Sequence, residues 1–134
     1  MKVKPESDTA AVIGPCAGLP PERIVSIRQV LDRIGDKWSL LVIAVLEEGP
    51  LRYTDLHRAV TGISQRMLTL TLRQLTQDGL VARTSYPEVP PRVEYTLTPL
   101  GRGLLEIVTA LIDWTSEHHD EIHRNRTRMG DPLK

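Results

Sequence analysis

The stretch from Ile63 to Leu97 leaves this chain very few folds. Leu68, Leu72 and Leu75 recur at i, i+4 and i+7, a single apolar stripe at helical spacing. Ser64 stands at the N-cap, where its hydroxyl can accept from an N–H of the first turn. Gly79 stands where the helix must end, free to take the left-handed conformation. Gln65, Arg66, Thr69 and Arg73 fall on a different face, which has long donors and a hydroxyl but no carboxylate. A helix that packs by one side and offers Arg, Gln and Thr on the other suits the DNA major groove. Arg grips guanine with two hydrogen bonds, Gln does the same to adenine, and Thr touches a thymine methyl.

Two β-prone runs follow, 80–85 and 93–97, and they read as paired strands. Their connection, Tyr86-Pro87-Glu88-Val89-Pro90-Pro91-Arg92, is too long and too proline-rich for a tight hairpin. Upstream, Leu51-Arg52-Tyr53 can add a short strand to the wing. Thr54 is expected to cap a short helix carrying Leu56, Ala59 and Val60, and Thr61-Gly62 makes the turn. The expected fold is mainly α with a small β-hairpin wing (α+β), a winged helix-turn-helix.

Three blocks then carry a family resemblance: Gly35-Asp36-Lys37-Trp38, Gly62-Ile63-Ser64-Gln65-Arg66-Met67-Leu68, and Pro87 through Tyr95. In that order they resemble the HxlR-type regulators, small bacterial winged-helix proteins of MarR-like architecture. The resemblance spans about Val25 to Trp114. It implies Arg92 as a wing residue reaching the DNA backbone or minor groove; one recognition helix per chain and a long terminal helix add the expectation of a homodimer on a pseudo-palindromic operator. The residues themselves leave another role open for Arg92, an ion pair with Glu88 or Glu94 that shapes the wing. The resemblance also points to Cys16 as a candidate redox sensor, since some members respond to oxidants through an N-terminal cysteine. Here Cys16 lies 21 positions before Lys37, further upstream than the family cysteine. A small-molecule or thiol-reactive signal is the class of effector implied.

The rest of the chain fits one domain. Residues 1–20, rich in Pro and Gly, read as a flexible arm. Residues 21–119 hold the winged helix-turn-helix and its terminal helices, and 120–134 a helix end and polar tail, with fraying expected from Asn125. A helix from Glu22 to Ile34 precedes one from Lys37 to Glu48, capped by Asp36 and apolar nearly all round, which belongs at the centre with a buried Trp38. The last helix starts at Thr98-Pro99 and runs about 20 residues, roughly 30 Å. Its apolar stripe is Leu100 (with Leu104), Ile107 (with Val108), Leu111 and Trp114, and because it outruns a small domain, Leu104, Val108, Leu111 and Trp114, with Ile27 from the first helix, are the expected dimer interface. The plainer reading of that helix is a core helix.

With no Phe in the chain, Leu, Ile and Val must fill the core. Lys and Arg together number 17, as do Asp and Glu, so the chain is not a generally basic nucleic-acid binder. Positive charge is local instead: from Ile63 to Val93, Arg66, Arg73, Arg83 and Arg92 face only Asp78 and Glu88. Arg52 and Arg83 are candidate phosphate contacts or ordinary surface charge. A single cysteine excludes an internal disulfide and fits a reducing cytoplasm. No apolar run is long enough to span a bilayer and Lys2 and Lys4 precede no apolar segment, so neither a membrane partner nor a secretory signal is expected. His119 and His123 stand at i, i+4, but no third ligand is evident, and no metal or cofactor is expected. Phosphate loops, nucleophile elbows and framed carboxylate pairs are not found, so an enzyme is not expected. The alternative to a DNA-binding regulator is a winged helix used for dimerisation or protein interaction without DNA. One form of it serves a catalytic domain, for which this chain has no room.

Overall fold

The computed structural model describes residues 14–130. The chain divides into two compact units after Gly35. Before that point lie a 3-10 turn at Gly14–Cys16 and helix α1, Pro21–Gly35, which buries none of its residues. Glu22 sits in its first turn and Arg33 in its last, each complementing the helix dipole. Val25, Val30 and Leu31 stand exposed on it. Of the arm expected over 1–20, the first thirteen residues lie outside the described part.

From Asp36 onward the elements are α2 (Lys37–Val45), β1 (Leu51–Arg52), α3 (Tyr53–Ala59), α4 (Gln65–Gln77), β2 (Val81–Tyr86), β3 (Arg92–Leu97), α5 (Pro99–Glu117) and α6 (His119–Arg128). The winged helix-turn-helix is therefore the observed architecture, with an antiparallel sheet in the order β1-β3-β2. Leu51 pairs with Tyr95 and Arg52 with Glu94, while Val81 pairs with Leu97 and Tyr86 with Arg92.

Helix α2 holds the centre, packed on α3, α4 and α5. Asp36 caps it by accepting from the Trp38 N–H at 3.1 Å and from the Ser39 hydroxyl at 3.2 Å. The second bond satisfies a hydroxyl that is fully buried. The helix stops at Val45, three residues short of the expected Glu48. Trp38 is half-buried rather than buried: its indole edge faces the Gly62 turn, and the Lys37 ammonium lies 4.7 Å from the ring centre. Val42, Ile43 and Leu46 are buried, as are Leu56, Leu68, Leu72 and Leu75 on the helices packed around α2. Burying each such side chain stabilises by about 1.5–3 kcal/mol, and the aliphatic composition leaves no other residues for the task.

Helix α3 departs from expectation. It starts at Tyr53 with Arg52 in the cap position and no side-chain cap bond, so Thr54 is not the cap. β1 runs directly into α3, and this places Tyr53 inside the first helical turn, where a cap would otherwise sit.

The junction of α4, β2 and α5 is closed by Gly79, Thr98 and Gly101. Gly79 adopts φ +79°, and Leu80 N–H bonds back to the Leu75 carbonyl at 3.0 Å, closing the helix as expected. Thr98 caps α5 by accepting from Gly101 N–H at 3.0 Å, and its hydroxyl donates to the Gly79 carbonyl at 2.6 Å. Gly101 packs so closely on the Leu80 backbone that an added Cβ would collide with the Leu80 carbonyl oxygen. Helix α5 ends at Glu117, where the His118 ring stacks on Trp114 with centroids 4.6 Å apart. The chain then re-enters a helix through Arg128, so the expected fraying from Asn125 is not found as far as that residue.

Candidate nucleic-acid interface

The sequence places Gln65, Arg66, Thr69 and Arg73 on one helix face, and α4 presents all four exposed. Leu68, Thr71, Leu72 and Leu75 bury the other face. Ser64 accepts from Met67 N–H at 3.0 Å with extended backbone, as an N-cap does. The helix N-terminus therefore carries a partial positive charge beside Gln65 and Arg66. Leu70, 40% exposed, lies on the same face and lines a shallow concavity with Gln65, Arg66, Thr69, Arg73 and Tyr53. An exposed Leu beside these groups can meet a thymine methyl.

Tyr53 and Leu70 were not legible as site residues in the sequence. Tyr53 reads as a strand residue there, yet its hydroxyl donates to the Gln65 carbonyl at 2.8 Å and lies 3.0 Å from the Thr69 hydroxyl. It also lines a second cleft, between α4 and the sheet, with Arg73, Thr76, Gln77, Arg83 and Tyr95. Arg73 and Arg83 thus flank one cleft on the same side of the domain.

Arg92 is engaged within the wing. Its guanidinium donates to Glu88 at 2.8 and 3.1 Å and to Glu94 at 2.6 Å, and lies 3.9 Å from the Tyr86 ring centre. Of the two roles open in the sequence, the ion pair that shapes the wing is present in the structure. The Glu88 carboxyl is held below its ordinary range, chiefly by the Arg92 hydrogen bond and also by the charges of Arg92 and Arg52, with desolvation opposing. What projects from the wing tip instead is Val89, 99% exposed.

The expected dimer residues separate into two groups. Leu104 and Val108 lie inside the chain's own core, because α5 packs that stripe onto α2. Leu111 and Trp114 are exposed and, with Leu100 and Ile107, form an apolar strip along the outer side of α5; Ile112 is exposed on another side of the helix. Ile27 is half-buried on α1. Cys16 is half-buried in the 3-10 turn. His119 and His123 stack at 5.9 Å, and among the described residues no three His, Cys, Asp or Glu converge as a metal site would require. No helix there is long and apolar enough to cross a membrane.

The HxlR-like helix-turn-helix family model matches residues 33–123, from the end of α1 into α6. The chain belongs to this family. Its HxlR-like relatives include an uncharacterized HTH-type transcriptional regulator of Methanothermobacter thermautotrophicus, 46% identical over 93 residues, covering 69% of this chain and 71% of that protein. The HTH-type regulator YtfH of Escherichia coli, also uncharacterized, is 44% identical over 95 residues, covering 71% and 75%. Among solved structures, the redox regulator HypR in its reduced form superimposes with a TM-score of 0.69 at 39% identity, covering 74% of this chain and 98% of HypR. Against the span of Val25 to Trp114 expected from the sequence blocks, the match starts later, at residue 33, and ends further on, at residue 123, so α5 and the first half of α6 are part of the HxlR-like pattern while most of α1 lies outside the match.

Proposed function

We propose that this HxlR-like protein is a transcriptional regulator that reads an operator in double-stranded DNA as a homodimer. One observation carries the reading: α4 is capped by Ser64, buried along one side, and free of carboxylates on the other, where Gln65, Arg66, Thr69, Leu70 and Arg73 stand open to a groove. Arg66 and Gln65, in the first turn, reach base edges. Ser64 turns the helix N-terminus toward a phosphate, and Arg73 and Arg83 neutralise backbone charge. The exposed strip of Leu111 and Trp114 on α5 supports dimerisation, for which Leu104 and Val108 are no longer available. This is a binding role without catalysis, carried out in the cytoplasm.

Selection of binding sites from a random duplex pool tests the reading, with sedimentation of the resulting complex. Two half-sites about 10 base pairs apart, or a multiple of that, and two protomers per site are expected. A pool that enriches nothing would leave a dimerisation or protein-interaction module as the better account.

Cys16 is proposed as the sensor of an oxidant. The support is the likeness to HypR, solved in reduced and oxidised forms, and a thiol that is not fully buried. A bridge between the Cys16 residues of two protomers would respace the recognition helices. Operator binding by wild type and Cys16→Ser before and after mild oxidant decides it: an equal response in both proteins makes Cys16 structural.

A further inference from the structure

Tyr53 bonds to two groups of the recognition helix at once, and the count of protons fixes the direction of both bonds. Its hydroxyl oxygen lies 2.8 Å from the Gln65 carbonyl and 3.0 Å from Thr69 Oγ1. A phenol has one proton to donate, and a carbonyl oxygen has none. The Tyr53 proton therefore goes to Gln65. The second contact can be a hydrogen bond only if Thr69 donates its own proton to Tyr53.

Thr69 is exposed on the groove-facing side of α4, and with both bonds made its proton points back into the protein. What it shows outward is lone pairs and a methyl group. An unrestrained threonine hydroxyl rotates to donate or accept as its partner requires. The major-groove edge of guanine carries only acceptors, N7 and O6, whereas adenine and cytosine carry amino donors and thymine a methyl. An acceptor held in place suits the last three and meets guanine lone pair to lone pair.

We infer that Tyr53 is a specificity-determining residue: by taking the Thr69 proton it makes Thr69 an acceptor-and-methyl reader that excludes guanine at the base it faces. The inference rests on the DNA-reading role proposed above. Tyr53 acts through Thr69 and is a positioning residue.

The test compares base preferences of wild type, Tyr53→Phe, Thr69→Val and the double variant, each selected on the same random duplex pool, with thermal midpoints alongside. Wild type is expected to disfavour guanine at one position of each half-site by about tenfold, the scale of a single good base contact. Tyr53→Phe frees the hydroxyl to donate, and the penalty shrinks to within about threefold there and nowhere else. Thr69→Val keeps Tyr53 and the methyl, so it loses the preference for an amino group at that same position. In the Thr69→Val background Tyr53→Phe changes nothing further. A Tyr53→Phe protein that binds every sequence more weakly with an unaltered preference profile makes the tyrosine a mere brace and overturns the inference, as does a Thr69→Val profile identical to wild type. A wild-type protein that enriches no sequence fails the DNA reading itself, and the inference falls with it.

Discussion

Arg92 donates to Glu94 at 2.6 Å while its guanidinium rests 3.9 Å from the centre of the Tyr86 ring. Tyr86 and Arg92 are the last cross-strand pair of β2 and β3, so the cation closes the base of the wing. A cation held by two carboxylates and a ring is poorly placed to release counterions from DNA. Arg92→Ala is therefore expected to weaken operator binding by loosening the wing, with the slope of log K against log salt unchanged. Removing a cation that binds phosphate would instead reduce that slope by about 0.9, and titrating affinity across salt distinguishes the two.

The Glu88 carboxyl gives the same strut a pH signature. Arg92 lowers its pKa in the folded protein. The pairing thus stabilises the wing above the ordinary carboxylate range, and that contribution is lost as pH falls through the depressed value. An NMR titration of the Glu88 side chain is expected to show a midpoint below that of an ordinary glutamate, returning to the usual range in Arg92→Ala. An unshifted midpoint in wild type contradicts the strut.

Gly101→Ala tests the junction of α4, β2 and α5. The new methyl meets backbone, the Leu80 carbonyl, which cannot swing aside as a side chain would. Overpacking of this kind costs about 1–3 kcal/mol or more. Urea unfolding is expected to show a loss of about 3 kcal/mol; a neutral result would mean α5 can shift freely on the sheet.

Thr71 offers a change in the other direction. Its hydroxyl is buried against the core face of α4 and has no hydrogen-bond partner among the described residues. Thr71→Val keeps the shape and removes an oxygen whose desolvation costs about 1–3 kcal/mol. The variant is expected to gain about 1 kcal/mol in urea unfolding. A loss would show that the hydroxyl has a partner in solution.

The fold was legible because its signals are local. Ser64, Gly79, Asp36 and Thr98 act within a turn of their own helices, and each does in the structure what its residue type implies. Leu68, Leu72 and Leu75 declare a face by spacing alone. What the sequence could not supply was contact across elements. Tyr53 reaches a helix that begins 12 positions later, and nothing in Leu51-Arg52-Tyr53 announces it. Arg92 sits between two acids in the chain, so ion pair and free contact were equally open until the strand register set the distances. Leu104 and Val108 share a periodic stripe with Leu111 and Trp114, and periodicity cannot say where along α5 the chain's own core ends.

The central claim is that the outer face of α4 reads bases. It is tested most directly by the affinity of wild type and Arg66→Ala for a selected operator and for a scrambled duplex of equal length at one salt concentration. The account predicts a loss of roughly 1–3 kcal/mol on the operator and a much smaller change on the scrambled duplex. Equal losses on both would show that Arg66 only neutralises phosphate, and that this face does not read sequence through it.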